Sequence, residues 1–169
     1  AQQARMEQVP PRQAGEGDGP YKKLVIRGGM VIKGDGSPPI GPVDVVIEGN
    51  RITSIQAAGT PGVPTKPNRP PLDAAKEIDA AGMWIMPGFI DTHGHNGDPR
   101  KAPNASYGYK LWLAHWVTTV RGVPFYFGDV AQTLSDRSRS AANTIVAPQV
   151  NSFVSDASSV PTMAWVVAS

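Results

Sequence analysis

The chain has 169 residues, a length that predicts one domain or two small ones. Its 18 glycines and 17 prolines make about 21% of the sequence, below the roughly 25–30% typical of low-complexity disorder. Its 16 basic and 14 acidic residues are too evenly balanced for a nucleic-acid-binding surface, and no apolar run approaches the ~18 residues of a membrane span. Because cysteine is absent, any metal ion must be held by nitrogen and oxygen ligands.

Residues 1–20 are polar, rich in glutamine, proline and glycine, and without periodicity. This composition predicts a disordered arm. Because the first residue is alanine, the sequence is either an exported protein that has lost its signal peptide or a piece cut from a longer chain. The residues do not separate these interpretations, so an exported or periplasmic location stays open beside a cytoplasmic one.

Short apolar runs with the period of a β-strand begin after Tyr21. The 17 valines and 10 isoleucines against 5 leucines also favour strands. The predicted strands are Lys23–Arg27, ended by Gly28–Gly29, then Val43–Glu48 and Arg51–Gln56, which are joined by a hairpin turn at Gly49–Asn50. These strands form a small antiparallel module that is too short to bury a core of its own.

Residues 59–71 hold five prolines and predict a linker, after which ordered structure should return at Lys76–Asp79 and again at Met83–Met86. Beyond Pro87 the pattern alternates between strand and helix. The predicted strands are Phe89–His93, Val117–Arg121 and Ile145–Val150, and the predicted helices are Tyr107–His115, Gln132–Ala142 and the start of a third at Pro161–Ala168. This alternation indicates βαβ units and a parallel sheet.

The segment Asp91–His95 carries the chemistry. Along a strand, His93 and His95 point to the same face, so the two imidazoles can hold one divalent ion. Zinc is the default, with iron, cobalt, nickel or manganese as alternatives. Gly94 lets backbone and metal approach closely. A His-x-His pair is also compatible with two polar residues that hydrogen-bond to backbone at a strand end, but this pair lies where parallel α/β folds place active sites.

The stretch Met83–His95 closely resembles the first barrel strand of the metal-dependent amidohydrolase superfamily. Leu24–Ile55 resembles the amino-terminal β-sandwich half of that superfamily, and Leu113–Arg121 resembles its first helix and second strand. Within the superfamily, the sequence is most similar to exported amidohydrolases related to imidazolonepropionase and to prolidase-type dipeptidases.

The resemblance implies an α/β fold, in which half of a small β-sandwich precedes the amino-terminal part of a (β/α)8 barrel. Residues 1–20 would be the arm, 21–86 the partial sandwich with its linker, and 87–169 the first three βα units, at ~31 residues for each unit of a barrel. Both parts would be incomplete, so we expect open sheet edges and poor stability of the chain alone.

His93 and His95 match the first metal ligands of the superfamily, which holds one or two divalent ions. The resemblance implies that the remaining ligands and the catalytic acid or base lie on later strands, so no catalytic residue is assigned here. The parent protein would hydrolyse C–N bonds of amides, cyclic amides or peptide-like substrates through metal-activated water. Nucleic acid and membranes are not expected partners, and substrate and oligomeric state stay open. The alternatives are a non-catalytic metal-binding or scaffold module and an inactive truncated product.

Several other residues have a structural and a functional interpretation. His115 favours a structural role at the end of a helix, where its ring can hydrogen-bond carbonyls. Trp116 stands where the resembling family usually has glycine, so a positive φ there would cost about 1–2 kcal/mol. Asp91 either orients a histidine or bonds to backbone. Packing or surface roles are favoured over substrate contact or binding for Thr119, Arg121, Phe125–Phe127, Arg137 and Arg139.

Overall fold

A computed structural model describes residues 6–95, 98, 101–122, 130–152 and 165–168. The chain forms two compact units. The first, the sheet unit, contains residues 19–87 and 165–168, and the second, the βα unit, contains residues 6–18 and the described residues from 88 to 152. The elements in chain order are β1 (Lys23–Val31), β2 (Ile40–Glu48), β3 (Arg51–Ala57), β4 (Lys76–Asp79), β5 (Trp84–Pro87), β6 (Phe89–Gly94), α1 (Ser106–Ala114), β7 (Val117–Gly122), α2 (Val130–Ala141), β8 (Gln149–Ser152) and β9 (Trp165–Ala168).

The sheet unit is a six-stranded sheet in the order β3-β2-β1-β5-β9, with β4 also paired to β1. Strands β1, β2 and β3 are antiparallel, and Glu48 pairs with Arg51 across the hairpin turn, which confirms the predicted module. Strands β4 and β5 run parallel to β1 and extend the core beyond that module. The buried core side chains are Ile26, Val31, Val43, Val45, Ala80 and Ile85.

The first strand continues through Gly28 and Gly29, so the prediction that these glycines end it is wrong. Gly28 adopts a φ of 74° at an irregularity in the β1–β2 register, and its N–H donates to Asp44 Oδ1 at 3.0 Å. A methyl group on Gly29 would lie 2.5 Å from Cδ1 of Ile85. The two glycines therefore accommodate a bulge and a core side chain within one strand.

Residues 165–168 form a strand where the sequence pattern predicts the start of a helix. They pair with β5 in antiparallel register, from Trp84 opposite Ala168 to Pro87 opposite Trp165. The helix prediction is wrong for these four residues because a tryptophan and two valines suit a strand, and because β5 offers a backbone edge to pair with. Residues 161–164 lie outside the described ranges.

The βα unit contains a parallel sheet in the order β6-β7-β8, as the alternating pattern predicts. Helix α1 connects β6 to β7, and α2 lies between β7 and β8 in the chain. Strand β8 starts at Gln149 rather than at Ile145, whose side chain is buried in the irregular segment before the strand. Neither α1 nor α2 is long and apolar enough to cross a membrane.

Residues 6–16, which we call the strap, are ordered in the βα unit, so the prediction of a disordered arm is wrong for them. Met6 and Val9 are 7% and 2% exposed and belong to the core cluster of this unit. The N–H of Arg12 donates to the carbonyl of Thr144 at 2.8 Å. Two buried side chains and backbone pairing hold a segment that its polar composition alone would leave disordered. The other members of the cluster are Ala105, Tyr109, Ile145 and Val150.

Candidate metal centre

Strand β6 carries both histidines to the carboxyl end of the parallel sheet. His93 lies in β6, Gly94 is the last residue of the strand, and His95 follows directly. Gly94 is buried whereas His93 and His95 are exposed. The two imidazoles are therefore accessible at the end of the sheet where α/β folds usually bind ligands.

The two imidazoles approach each other through their Nε2 atoms, which lie 3.3 Å apart. The ring centroids are 5.1 Å apart and the ring planes meet at 61°. A tetrahedral zinc ion with Zn–N distances of ~2.0–2.1 Å requires about 3.3 Å between two ligand nitrogens. The spacing of His93 and His95 thus fits two ligands of one ion, and it equally fits a hydrogen bond between the two rings.

Gly94 is enclosed by two side chains of neighbouring elements. A methyl group at this position would lie 2.6 Å from Cγ1 of Val120 on β7 and 2.8 Å from Cζ2 of Trp112 on α1. Both distances are far below van der Waals contact, so no larger residue fits without a shift of its neighbours. Close packing therefore requires glycine at position 94. This reason is independent of the one predicted from the sequence, which was the close approach of a metal ion.

Asp91 Oδ1 accepts a hydrogen bond from the backbone N–H of His93 at 3.0 Å. Of the two roles predicted for Asp91, orienting a histidine or bonding to backbone, this contact is the second. The bond fixes the main chain of β6 one residue before the strand ends, and thereby the starting point of the His93 side chain.

A third ligand does not join the pair within the described residues. Among them, no group of three or more histidine, aspartate or glutamate side chains is arranged to hold a metal ion. Further ligands and a catalytic acid or base, which the resemblance assigns to later strands, therefore remain predictions.

The end of helix α1 confirms two expectations. Nδ1 of His115 lies 2.9 Å from the carbonyl oxygen of Leu111, which is the structural role predicted for this residue. Trp116 has a φ of 67°, the positive value expected where the resembling family has glycine. Its carbonyl accepts the N–H of Phe89 at 2.9 Å, so the strained residue links the helix end to the start of β6.

Arg139, predicted to lie on a solvated helix face, instead points into the unit. Its Nη2 donates to the carbonyl of Val9 at 2.6 Å, and its Nη1 lies 3.6 Å from Oδ1 of Asp136. The strap covers this face of α2, which explains the difference. Thr119 is buried in β7, as its packing interpretation expects, and Phe125–Phe127 lie outside the described residues.

The sequence did not single out a buried polar contact between the two helices. The hydroxyl of Tyr109 on α1 donates to Oδ2 of Asp136 on α2 at 3.0 Å, and Asp136 is fully buried. Burial raises the pKa of Asp136, against the opposing effects of the Tyr109 hydrogen bond and the Arg139 charge. An aspartate and an arginine three residues apart on a polar helix gave no signal of burial.

Curated relatives share sequence with parts of the chain. An adenine deaminase from Lactiplantibacillus plantarum is 43% identical over 61 residues, which are 36% of this chain and 10% of that protein. A D-hydantoinase from Streptomyces coelicolor is 30% identical over 116 residues, or 68% of this chain and 23% of that protein. The chain thus spans less than a quarter of either relative. No protein-family model matches it.

Solved structures share its fold. A Xaa-Pro dipeptidase with methionine bound in its active site superposes with a TM-score of 0.56 at 21% identity, covering 77% of this chain and 32% of the dipeptidase. At this identity the likeness concerns the fold alone. The chain again corresponds to about a third of the longer protein.

Proposed function

The chain belongs to the amidohydrolase superfamily, and on that premise we propose that it is the amino-terminal part of a metal-dependent hydrolase of C–N bonds. Its relatives are hydrolases that act on C–N bonds, among them deaminases, a hydantoinase and a deacylase. The substrate would be an amide, a cyclic amide or a peptide-like molecule. The narrower likeness to imidazolonepropionase remains a prediction.

The observation that carries this proposal is the 3.3 Å separation of Nε2 of His93 from Nε2 of His95. It matches the ligand spacing of a tetrahedral ion, and both rings are exposed at the carboxyl end of β6. A divalent ion held there, most simply zinc, would supply the Lewis acid that polarises the scissile carbonyl and activates water.

The residues of this chain would bind and orient. His93 and His95 would hold the ion through their Nε2 atoms. Asp91 fixes the backbone amide of His93. The exposure of both rings leaves room for a substrate and for ligands from elsewhere in the protein.

We also propose that further strands beyond this chain complete a (β/α)8 barrel. Phe89 and Ile90 on β6 are 53% and 51% exposed, and β6 is the edge of the described parallel sheet. Neighbouring strands of a closed barrel would cover both apolar side chains and pair the free edge. The small share of its relatives that the chain spans supports the same interpretation.

The experiment compares single histidine variants of the complete enzyme. We expect His93→Ala and His95→Ala each to lose most of the bound metal, measured by elemental analysis, and to lower hydrolysis of a dipeptide, hydantoin and adenine panel by about a hundredfold or more. His115→Ala is the matched control, because that ring binds the carbonyl of Leu111, and it should retain both. Full metal content and activity in either of the first two variants would refute the ligand assignment.

A further inference from the structure

We propose that Trp112 is a positioning residue, which holds His93 and His95 at metal-binding distance by packing on the glycine between them. The inference rests on the proposed function, because it concerns the same pair. Trp112 lies on α1, the element that follows the strand of the two histidines.

Trp112 packs closely against Gly94. The edge of the indole lies so close that a methyl group at Gly94 would be 2.8 Å from Cζ2 and 3.2 Å from Cη2 of Trp112. Val120 of β7 encloses the same position at 2.6 Å. The backbone between the two histidines is therefore held between a neighbouring strand and a helix, which fixes the directions of both side chains.

Trp112 is itself held in place by its neighbours. Its ring is stacked on Tyr109, with centroids 6.2 Å apart and planes at 28°, and it packs against the cluster that contains Met6 and Val9 of the strap. The hydroxyl of Tyr109 is in turn anchored to Asp136. The indole can thus transmit the rigidity of the packed unit to the exposed pair.

The packing of Trp112 on Gly94 matters because metal affinity depends on the positions of the ligand atoms. Two imidazoles bind one ion well only when their nitrogens remain close to the tetrahedral spacing, and groups that orient ligands typically change metal affinity by about 10–100-fold when they are removed. Without the indole, the main chain at Gly94 is no longer packed on its helix side. The distance of 3.3 Å between the Nε2 atoms of His93 and His95 then becomes one of several accessible arrangements.

The test is carried out on the complete protein, first without metal and then with zinc chloride. In the metal-free protein, NMR should show a nuclear Overhauser effect between the rings of His93 and His95, whose centroids are 5.1 Å apart. Trp112→Ala should weaken this effect and raise the zinc dissociation constant by about tenfold or more. Trp112→Phe, which keeps an aromatic ring at the position, should retain most of the Overhauser effect and most of the zinc affinity.

Leu111→Ala is the matched control, because it shortens an exposed side chain on the same helix. It should leave the ring-to-ring effect and the zinc affinity unchanged. Circular dichroism identifies a variant that fails to fold, and if Trp112→Ala does, Trp112→Leu replaces it, since leucine keeps apolar volume but is too short to reach Gly94.

An unchanged ring-to-ring effect and zinc affinity in folded Trp112→Ala or Trp112→Leu would overturn the positioning role. If the wild-type protein shows the effect and Trp112→Ala loses it, but neither binds zinc at the pair, the positioning role stands and the metal proposal fails.

Discussion

Tyr109 donates a hydrogen bond across 3.0 Å to the carboxyl group of Asp136, and both residues are buried between the two helices. The other oxygen of Asp136 has no hydrogen-bond partner among the described residues, and it lies 3.6 Å from Nη1 of Arg139. Gln132, one turn earlier on α2, also faces the carboxyl group. Burial outweighs these contacts and raises the pKa of Asp136 above its usual 3.8.

The raised pKa predicts that Asp136 makes folding less favourable as the pH increases. The folded state binds the proton more tightly, so the contribution is full below pH 3.8 and is lost as the pH rises through the folded pKa. Asp136→Asn keeps an acceptor for Tyr109 without the charge. We therefore expect it to flatten the pH dependence above pH 3.8 and to raise the free energy of unfolding at neutral pH by about 1 kcal/mol.

Urea denaturation at several pH values measures both effects. Asp18→Asn is the control, because it also removes one negative charge, but from an exposed side chain. If Asp136→Asn instead has a lower free energy of unfolding than wild type at neutral pH, the ionised pair with Arg139 stabilises the fold.

Asp44 in the sheet unit predicts the opposite pH dependence. It is 1% exposed and accepts hydrogen bonds from the side chain of Arg69 and from the N–H of Gly28. Burial alone would raise its pKa, but these bonds and the charges of Arg69 and Arg27 lower it below 3.8. The stabilisation is therefore present above pH 3.8 and is lost as the pH falls through the folded pKa.

Asp44→Asn should lower the free energy of unfolding at neutral pH by about 3 kcal/mol, because it leaves two guanidinium groups without their carboxylate. The difference from wild type should shrink in acid, which denaturation at pH 3 and 7 would reveal. Asp73→Asn is the control, since its ion pair with Lys23 is exposed and worth at most about 1 kcal/mol. Equal stability of Asp44→Asn and wild type at pH 7 would contradict the prediction.

Local periodicity was sufficient to place His93 and His95 on one face of a strand, but it did not predict the segments that pack around them. His93 and His95 are two residues apart, so strand alternation alone places them on one face. The elements of the βα unit were predictable for the same reason, because each is defined by its own hydrophobic period. The spacing of 3.3 Å could not be derived, since it depends on side chains of other elements around Gly94.

The strap and β9 depend on partners far away in the sequence. Val9 accepts a hydrogen bond from Arg139, 130 residues further along the chain, and β9 pairs with β5 about 80 residues before it. Two isolated apolar residues in a polar segment have no detectable period. Such long-range pairing is decided by tertiary contacts, which override composition and local propensity.

The strap supplies a third prediction. Val9 is 2% exposed in the core cluster, so Val9→Ala should lower the free energy of unfolding by about 2 kcal/mol through lost burial and a residual cavity. Val63→Ala, at a position that is 59% exposed, should change it by less than about 0.5 kcal/mol. A loss for Val9→Ala no larger than for Val63→Ala would mean that the strap contributes nothing to stability.

The ligand count predicts how the 169-residue chain behaves alone. Catalytic zinc sites usually have three protein ligands, and the described residues offer one pair of histidines. We expect weak zinc binding, with a dissociation constant in the micromolar range or above, and no hydrolysis. Isothermal titration with zinc chloride and the substrate panel measure both, and a tight 1:1 site with turnover would refute the expectation.

Trp116 provides a test of backbone strain that is separate from side-chain packing. Its φ of 67° is unfavourable for any residue with a Cβ atom, whereas the preceding His115 has an ordinary φ of −101°. Replacing tryptophan removes the contacts of the indole in every variant, so the informative comparison is between glycine and alanine at the same position.

Trp116→Gly should be more stable than Trp116→Ala by about 1 kcal/mol, because only glycine occupies the left-handed region without steric cost. At His115 the order should be reversed, with His115→Ala more stable than His115→Gly, since glycine loses more conformational entropy on folding there. Thermal or urea denaturation of the four variants measures both differences. If alanine is favoured at both positions, Trp116 carries no strain, and the reason for glycine at this junction in related proteins must be sought in packing.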